Sequence, residues 1–375
     1  MIPICCIAYN RKDSLERLLC SLDNAYYGEP VTLIISIDKS NTNEVETFAD
    51  SYYWRHGEKR VIKHDTNLGL RKHVLSCGNL LNDYEALVVL EDDITVAPSF
   101  YLYTKQCVDK FSSDDSCAGV SLYNFPKNYH NRLPFMPLKS DGDVYMMNCA
   151  QSWGQVWMKK QWFEFREWYD NHCEEFEENP NLPKTICHWP KSSWLKYHTR
   201  FCIEKEKYFI YPYTSLSTNN GDVGTHANKE TANYQTQMQY GIKNKYHLQP
   251  SILYDGFFEN TLLYESLGLN ESELCIDLYG EKGNRENRRY WLTRNHENYR
   301  IIDSYALDLR PWELNVIEKR RGRQIFLYDT SIIESNYFEE DDTTADYFFQ
   351  IPFIFLKIIV KEKIIRFFSR LIKKK

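Results

Sequence analysis

Apolar and polar positions fall in blocks along the first hundred residues, and the blocks change period from one to the next. Residues 2–9 are a short, nearly continuous apolar run, the mark of a strand buried on both faces. Asn10, Arg11 and Lys12 break it, and Asp13 or Ser14 can cap a helix. Leu15, Leu18, Leu19 and Leu22 then recur at helical spacing. Residues 31–37 repeat the strand pattern up to Asp38, and a helix is expected over 43–53. A short strand at Val61 and Ile62 precedes the turn Asn67-Leu68-Gly69-Leu70 and a helix over 71–81. The apolar run 86–90 leads straight into Glu91, Asp92 and Asp93, after which Ile94-Thr95-Val96 turns apolar again. This β-α-β-α-β-α-β alternation predicts an α/β fold with a doubly wound, mostly parallel sheet and helices on both faces. In such sheets ligands bind beyond the carboxyl ends of the strands. Asn10, Arg11, Asp38 and the Glu91-Asp92-Asp93 triplet all fall there.

Further along, strands are expected over 118–123 and 208–212 and a helix over 159–175. The polar, proline-bearing stretch 124–143 is long for a loop and reads as a mobile segment that closes over a ligand. Residues 217–226 are rich in turn formers. Residues 231–337 suggest a small α+β extension, a candidate for holding the acceptor, with strands near 275–280 and 324–329. The arginine-rich segment 281–300 reads as solvated surface, with a contact to an acceptor's pyrophosphate as the alternative. The acidic stretch 338–346 reads as a linker. The expected division is therefore 1–230, 231–337, the linker, and a tail of residues 347–375.

The tail changes the charge picture. From Lys357 onward there are eight basic residues and one acid, a formal +7, which leaves −13 on residues 1–356 of a chain whose net charge is −6. An acidic body is unsuited to nucleic acid. In the tail, cationic positions recur every four or five residues, with Ile358, Ile359, Phe367, Phe368 and Leu371 filling the gaps. That is the pattern of an amphipathic helix lying in an anionic membrane surface. The apolar run 347–356 is too short to span a bilayer. The eleven cysteines include no CxxC pair, which argues against structural zinc and for reduced thiols in a cytoplasmic protein. The 28 tyrosines suit hydroxyl-rich ligands such as sugars, since each offers a flat apolar face and a hydrogen-bonding edge.

Three adjacent carboxylates at the end of a buried strand repel one another, and a divalent cation is the simplest reason for them. Mg²⁺ or Mn²⁺ takes one or two carboxylates and completes its shell with substrate phosphates and water. The sequence has no glycine-rich phosphate loop after its first strand, so a bound diphosphate must be neutralised mainly by the metal.

Together, the strand ending in Asn-Arg, the second strand ending in Ser36-Ile37-Asp38, the Asn67–Leu70 turn and the segment VVLEDDITVAPSFY (residues 88–101) resemble a GT-A (Rossmann-like) glycosyltransferase. The last segment in particular resembles the N-acetylglucosaminyltransferase I family and its bacterial relatives, and the likeness extends over roughly residues 1–230. The resemblance implies a UDP-sugar donor, a glycan acceptor and an inverting transfer. It places Asn10 and Arg11 near the diphosphate or uridine and Asp38 on the uracil. Glu91 and Asp92 would meet donor sugar and ribose hydroxyls, and Asp93 would be the direct ligand of Mn²⁺ or Mg²⁺. Trp153 and Gly154 would lie near the sugar, although Trp153 is equally readable as core, and His226 would contact diphosphate or metal.

In the family an aspartate beside a tryptophan serves as the base, but the corresponding stretch 189–196 holds no acid. Asp222 is the replacement candidate, with Glu164, Glu167 or Asp170 behind it. Combined with the tail, the resemblance points to an enzyme on the cytoplasmic face of the membrane, extending a lipid-linked precursor of a bacterial surface polysaccharide. A catalytically inactive glycan-binding module and a sugar nucleotidyltransferase stay open as alternatives.

Overall fold

The computed structural model describes residues 1–375 other than 175, 177, 225–228, 283, 284, 286, 287, 339–346, 349–359, 362 and 366–375. The first ninety residues alternate as expected: β1 (Ile4–Ala8), α1 (Lys12–Asp23), β2 (Leu33–Ile37), α2 (Glu44–Ser51), β3 (Lys59–Lys63), α3 (Leu70–Gly78) and β4 (Ala86–Glu91). β5 (Ile94–Val96), α4 (Phe100–Phe111), β6 (Cys117–Ser121), β7 (Val144–Met147), β8 (Gln155–Met158), α5 (Lys159–Asp170), α6 (Lys184–Cys187) and α7 (Leu195–Glu204) come next. β9 (Tyr208–Pro212), β10 (Ser217–Asn219) and β11 (Leu253–Tyr254) complete this part.

Among the described residues nine strands form one sheet in the order β11-β7-β9-β6-β8-β4-β1-β2-β3. β4, β1, β2 and β3 run parallel, and β8 enters antiparallel to both β4 and β6. The apolar strands pack on both faces. Ile4, Cys6 and Ala8 of β1 join one core with the leucines of α1 and the aromatics of α4. Cys5 and Ile7 join the other with α3, α5 and α7. Each fully buried leucine of α1 contributes about 1.5–3 kcal/mol over leaving it in water, so its Leu15/Leu18/Leu19/Leu22 stripe is enough to seat the helix.

The extension is built on a second sheet. It contains α8 (Leu262–Leu267), β12 (Leu274–Asp277), β13 (Tyr290–Thr293), β14 (Tyr299–Tyr305), α9 (Glu313–Ile317) and β15 (Ile325–Ile333), with strand order β12-β13-β15-β14. Leu274, Ile276, Leu292 and Trp312 belong to the same hydrophobic core as Cys5 and Val89. β11 adds to the large sheet beside β7, so that sheet draws a strand from beyond residue 230.

Three expectations need correction. The stretch 124–143 is no free lid. Phe125, Asn128 and Phe135 are buried, and Phe125 and Phe135 pack edge-on against Phe258 at 5.2 and 4.9 Å. The arginines of segment 281–300 are solvated only in part: Arg289 and Arg300 are exposed, Arg289 pairing with Asp329, whereas Arg285 lies 4.1 Å over Trp291 and Arg294 sits between Trp312 and Phe348. The tail does not begin as a free helix. Tyr347 and Phe348 are buried, with the Tyr347 hydroxyl donating to the Leu309 carbonyl at 2.8 Å and Phe348 edge-on to Trp312 at 5.0 Å. Most of the expected membrane helix and linker lies outside the described residues. Val360, Ile364 and Ile365, which are described, are exposed. Among the described residues no helix is long and apolar enough to cross a membrane.

Candidate functional site

Parallel pairing aligns the strand ends. Ala8 is opposite Ile37 and Ile7 is opposite Glu91, so Asn10-Arg11, Asp38 and Glu91-Asp92-Asp93 leave the sheet along one edge. Together with Asn67, Gly69, His73 and Asp222 they line a cavity of about 450 Å³.

Arg11 holds the acidic group together. Its guanidinium donates to both Asp92 oxygens, through Nε to Oδ2 at 3.3 Å and through Nη2 to Oδ1, and Nη1 reaches Asp93 Oδ2 at 3.3 Å. Burial by itself would weaken the Arg11 proton, but Asp92 and Asp93 outweigh it and hold the guanidinium firmly charged. Burial pushes Asp92 up to about 6 against the pull of Arg11. Burial, followed by the charges of Asp93 and Asp92, pushes Glu91 up to about 8 against the smaller opposing pull of Arg11 and Trp194.

Asp93 differs from its neighbours. Its Oδ1 is buried and has no hydrogen-bond partner. Leaving such an oxygen dry costs free energy unless something electropositive meets it. A divalent cation fits that oxygen. Among the described residues no three His, Cys, Asp or Glu side chains are arranged to hold a metal by themselves. A single carboxylate completed by donor phosphates is therefore the arrangement these residues suit.

Asp38 is buried, and its oxygens accept from the backbone N–H groups of Lys39, Leu68 and Gly69 at 2.9, 2.8 and 3.0 Å. It thereby pins the turn before α3 against the end of β2. Behind it, Ser36 Oγ lies 2.8 Å from His73 Nε2.

Asp222 arrives from far along the chain. β10 pairs antiparallel with β5, placing Asn219 opposite Ile94, and Asn220 donates through both its backbone N–H and Nδ2 to the Asp93 carbonyl at 2.9 Å. Gly221 then turns at φ 69°, where a Cβ would lie 1.7 Å from the Thr231 carbonyl oxygen. The turn delivers Asp222 to α1, where its Oδ2 accepts from Ser14 Oγ at 2.7 Å and from Arg17. His226 lies outside the described residues.

A second cavity of about 350 Å³ adjoins the first and shares Leu70, Glu91, Asp93 and Asp222 with it. Trp153 and Ser152 line this second space, not the first, with Trp189, Trp194 and Tyr234. Gly154 lines neither. It is buried at φ 95° with Ser217 Oγ 2.8 Å from where its Cβ would be, and acts as the joint where β8 meets β10. The reserve acids on α5 also line neither cavity: Glu164 pairs with Lys207 and Asp170 with Arg166.

Sequence reasoning missed Ser14 and Arg17, which look like an ordinary exposed helix face until Asp222 is brought against them. It also missed His73 and Tyr234. The position of Asn67–Leu70 beyond the end of β3 was a usable signal for the cavity wall, whereas Thr231 and Tyr234 carried none.

Residues 4–161 match the family Glycosyl transferase family 2. No curated protein matches the chain. Similar solved structures include a 1–349 segment of S. aureus TarS in complex with UDP-GlcNAc, at 12% identity, 60% coverage of each chain and a TM-score of 0.39. Another is GalNAc-T7 with UDP, GalNAc and Mn²⁺, at 12% identity, covering 58% of this chain and 43% of that one, TM-score 0.37. A third is the mannosyltransferase PcManGT from Pyrobaculum calidifontis with GDP-Man and Mn²⁺, at 12% identity, covering 57% of this chain and 58% of that one, TM-score 0.33. The chain thus spans 60% or less of each of these structures.

Proposed function

We propose that this chain is a metal-dependent glycosyltransferase that moves a hexosyl or N-acetylhexosaminyl group from a UDP-sugar to a glycan hydroxyl, with inversion. The observation that carries this reading is the position of the acidic strand end. Glu91, Asp93 and Asp222 stand at the junction of two adjoining cavities, one fitted with Arg11 and the strand-end polar groups, the other with aromatic walls. A group transfer between two bound molecules needs that layout, since the reacting atoms must be held about 3 Å apart. The match of residues 4–161 to a glycosyltransferase family supports it.

In this reading the first cavity takes the nucleotide. Asp38 meets the base, Asn10 and Arg11 face the ribose and diphosphate, and Glu91 and Asp92 hold sugar and ribose hydroxyls. Asp93 Oδ1 would hold Mn²⁺ or Mg²⁺, which offsets the charge that develops on the departing diphosphate. Trp153 borders the sugar from the second cavity. Asp222 accepts the proton of the acceptor hydroxyl as it attacks the anomeric carbon, held in place by Ser14 and Arg17. His226 adds a diphosphate contact from the same loop. The tail, with its net +7, rests on anionic lipid, and the acceptor is a lipid-linked precursor of a bacterial capsule or O-antigen. The finer kinship with the N-acetylglucosaminyltransferase I family belongs to this reading and rests on residues 88–101.

One observation favours a second reading, an inactive glycan-binding module: the stretch 189–196 holds no acid where relatives carry the base. Calorimetric titration of UDP with and without Mn²⁺, followed by assay of UDP-sugar hydrolysis, separates the two. Metal-dependent binding with slow hydrolysis is expected. Binding without any hydrolysis or transfer would favour the inactive module, and metal-independent or absent binding would refute the assignment.

A further inference from the structure

The two cavities differ in charge. The first contains Arg11 and His73. Among the described residues that line the second there is no lysine, arginine or histidine, while the carboxylates of Asp93 and Asp222 border it and Glu91, pushed up to about 8, borders it mostly protonated at neutral pH. The cations closest to those carboxylates are already committed on the far side, Arg11 to Asp92 and Asp93, and Arg17 to Asp222. Lys127 approaches this region only as far as the Tyr234 ring, with Nζ 5.6 Å from the centroid. An anionic ligand entering here would lose its hydration and find no lysine, arginine or histidine among the described lining to offset the cost, while the cation proposed at Asp93 would already be shared with the donor diphosphate.

The rest of the lining suits a different ligand. Trp153 and Tyr234 lie against each other at 4.7 Å, and Trp189 is backed by Tyr129 at 5.5 Å. These are partly exposed rings at the cavity wall, able to cover the C–H face of a sugar ring. Ser152, Thr231 and Asn219 offer hydroxyl and amide groups between them.

We propose that the second cavity selects an uncharged pyranose as the acceptor end, and rejects uronic acids and phosphorylated sugars. This rests on the glycosyltransferase reading and narrows it. Any charge on a longer acceptor, such as a lipid diphosphate, has to lie outside this space.

Saturation-transfer NMR on the full-length protein with UDP and Mn²⁺ tests it. The neutral probes are methyl β-D-glucoside, galactoside and N-acetylglucosaminide, and the charged ones are methyl β-D-glucuronide and methyl glucoside 6-phosphate. The neutral probes should bind, and the charged ones at least about tenfold more weakly. Trp189→Ala should weaken the neutral probes about three- to tenfold. Ser152→Lys puts a cation on the cavity wall and should raise the glucuronide to parity with the glucoside or beyond. UDP affinity measured on the same samples separates the acceptor assignment from the transferase reading. If UDP binds but a charged probe binds as well as a neutral one, or no probe binds, the neutral-acceptor assignment is overturned and the transferase reading stands. If UDP does not bind, both fall.

Discussion

Asp93 is held by one oxygen and left unpaired at the other, and that asymmetry is what a ligand position requires. Asp93→Ala should therefore remove Mn²⁺-dependent UDP binding in calorimetry. The ligand-free protein should melt at the wild-type temperature or slightly above, because Glu91 and Asp92 lose a like-charged neighbour. Wild-type affinity in the variant would show that the cation is held elsewhere. Among the described residues Asp222 is the only acid contributed to both cavities by a segment outside the strand-end triplet. Asp222→Asn should lower turnover by at least about two orders of magnitude, the usual contribution of a general base, with UDP affinity little changed. Unchanged turnover would leave Glu91 as the carboxylate to examine, since the acids of α5 line neither cavity.

At the scale of elements, the site depends on one small ladder. β5 and β10 pair over three residues each, and this pairing carries the turn at Gly221 to the acidic strand end. Gly221→Ala would place a methyl group into the Thr231 carbonyl at a backbone angle L-residues rarely adopt, so the turn has to move. About 1–3 kcal/mol of stability should be lost, the cost of one strained residue. Turnover should fall well below what that loss explains, because Asp222 moves with the turn. Urea denaturation and kinetics measured side by side check this, and a variant that loses stability alone would detach the turn from catalysis. Helix α1 contributes through its exposed face. With Arg17→Ala, Asp222 keeps only Ser14, and turnover should drop while UDP binding is retained.

At the scale of the whole molecule, the tail and the core give separate predictions. Tyr347 and Phe348 are packed on the extension, so a truncation should end after Phe348, not before Tyr347. The shortened protein should fold and bind UDP but fail to co-sediment with liposomes containing anionic lipid. The full chain should release only partly in high salt, since the apolar face is not screened. A full chain that ignores anionic liposomes would rule out the membrane role.

Two histidines packed into the core have their pKa depressed by burial, the partly buried His130 to about 4 and the fully buried His198 to about 3. In the unfolded chain each titrates near 6.5. Between those values the unfolded state binds more protons, so this contribution is complete above pH 6.5 and is lost as pH falls toward 4 and then 3. His198 stacks on Phe165 at 4.1 Å, and neither of its ring nitrogens has a hydrogen-bond partner. His198→Phe should therefore raise stability at pH 5 relative to wild type by more than at pH 7.5. Equal urea midpoint shifts at the two pH values would show that the histidine is not held neutral.

The alternating sheet and its helices were legible because apolar strands and leucine stripes are local patterns: the residues that decide β1, α1, β2 and β4 are neighbours in sequence. The strand-end groups Arg11, Asp38 and Glu91–Asp93 were legible for the same reason, once parallel pairing is assumed. The partners of Asp222 were not, because Ser14 and Arg17 lie more than two hundred residues away and only the β5–β10 pairing closes that distance. Gly154 looked like a ligand contact and is a joint, and residues 124–143 looked like a lid and are packed. Polarity and glycine content describe what a segment can do, whereas burial against Phe258 or Ser217 is decided by parts of the chain far away. The sequence by itself determined the layers of the fold, the acidic edge and the charge of the tail. Only the tertiary structure decided which carboxylates share a cavity and which cations are already committed, since both depend on long-range packing that no local period encodes.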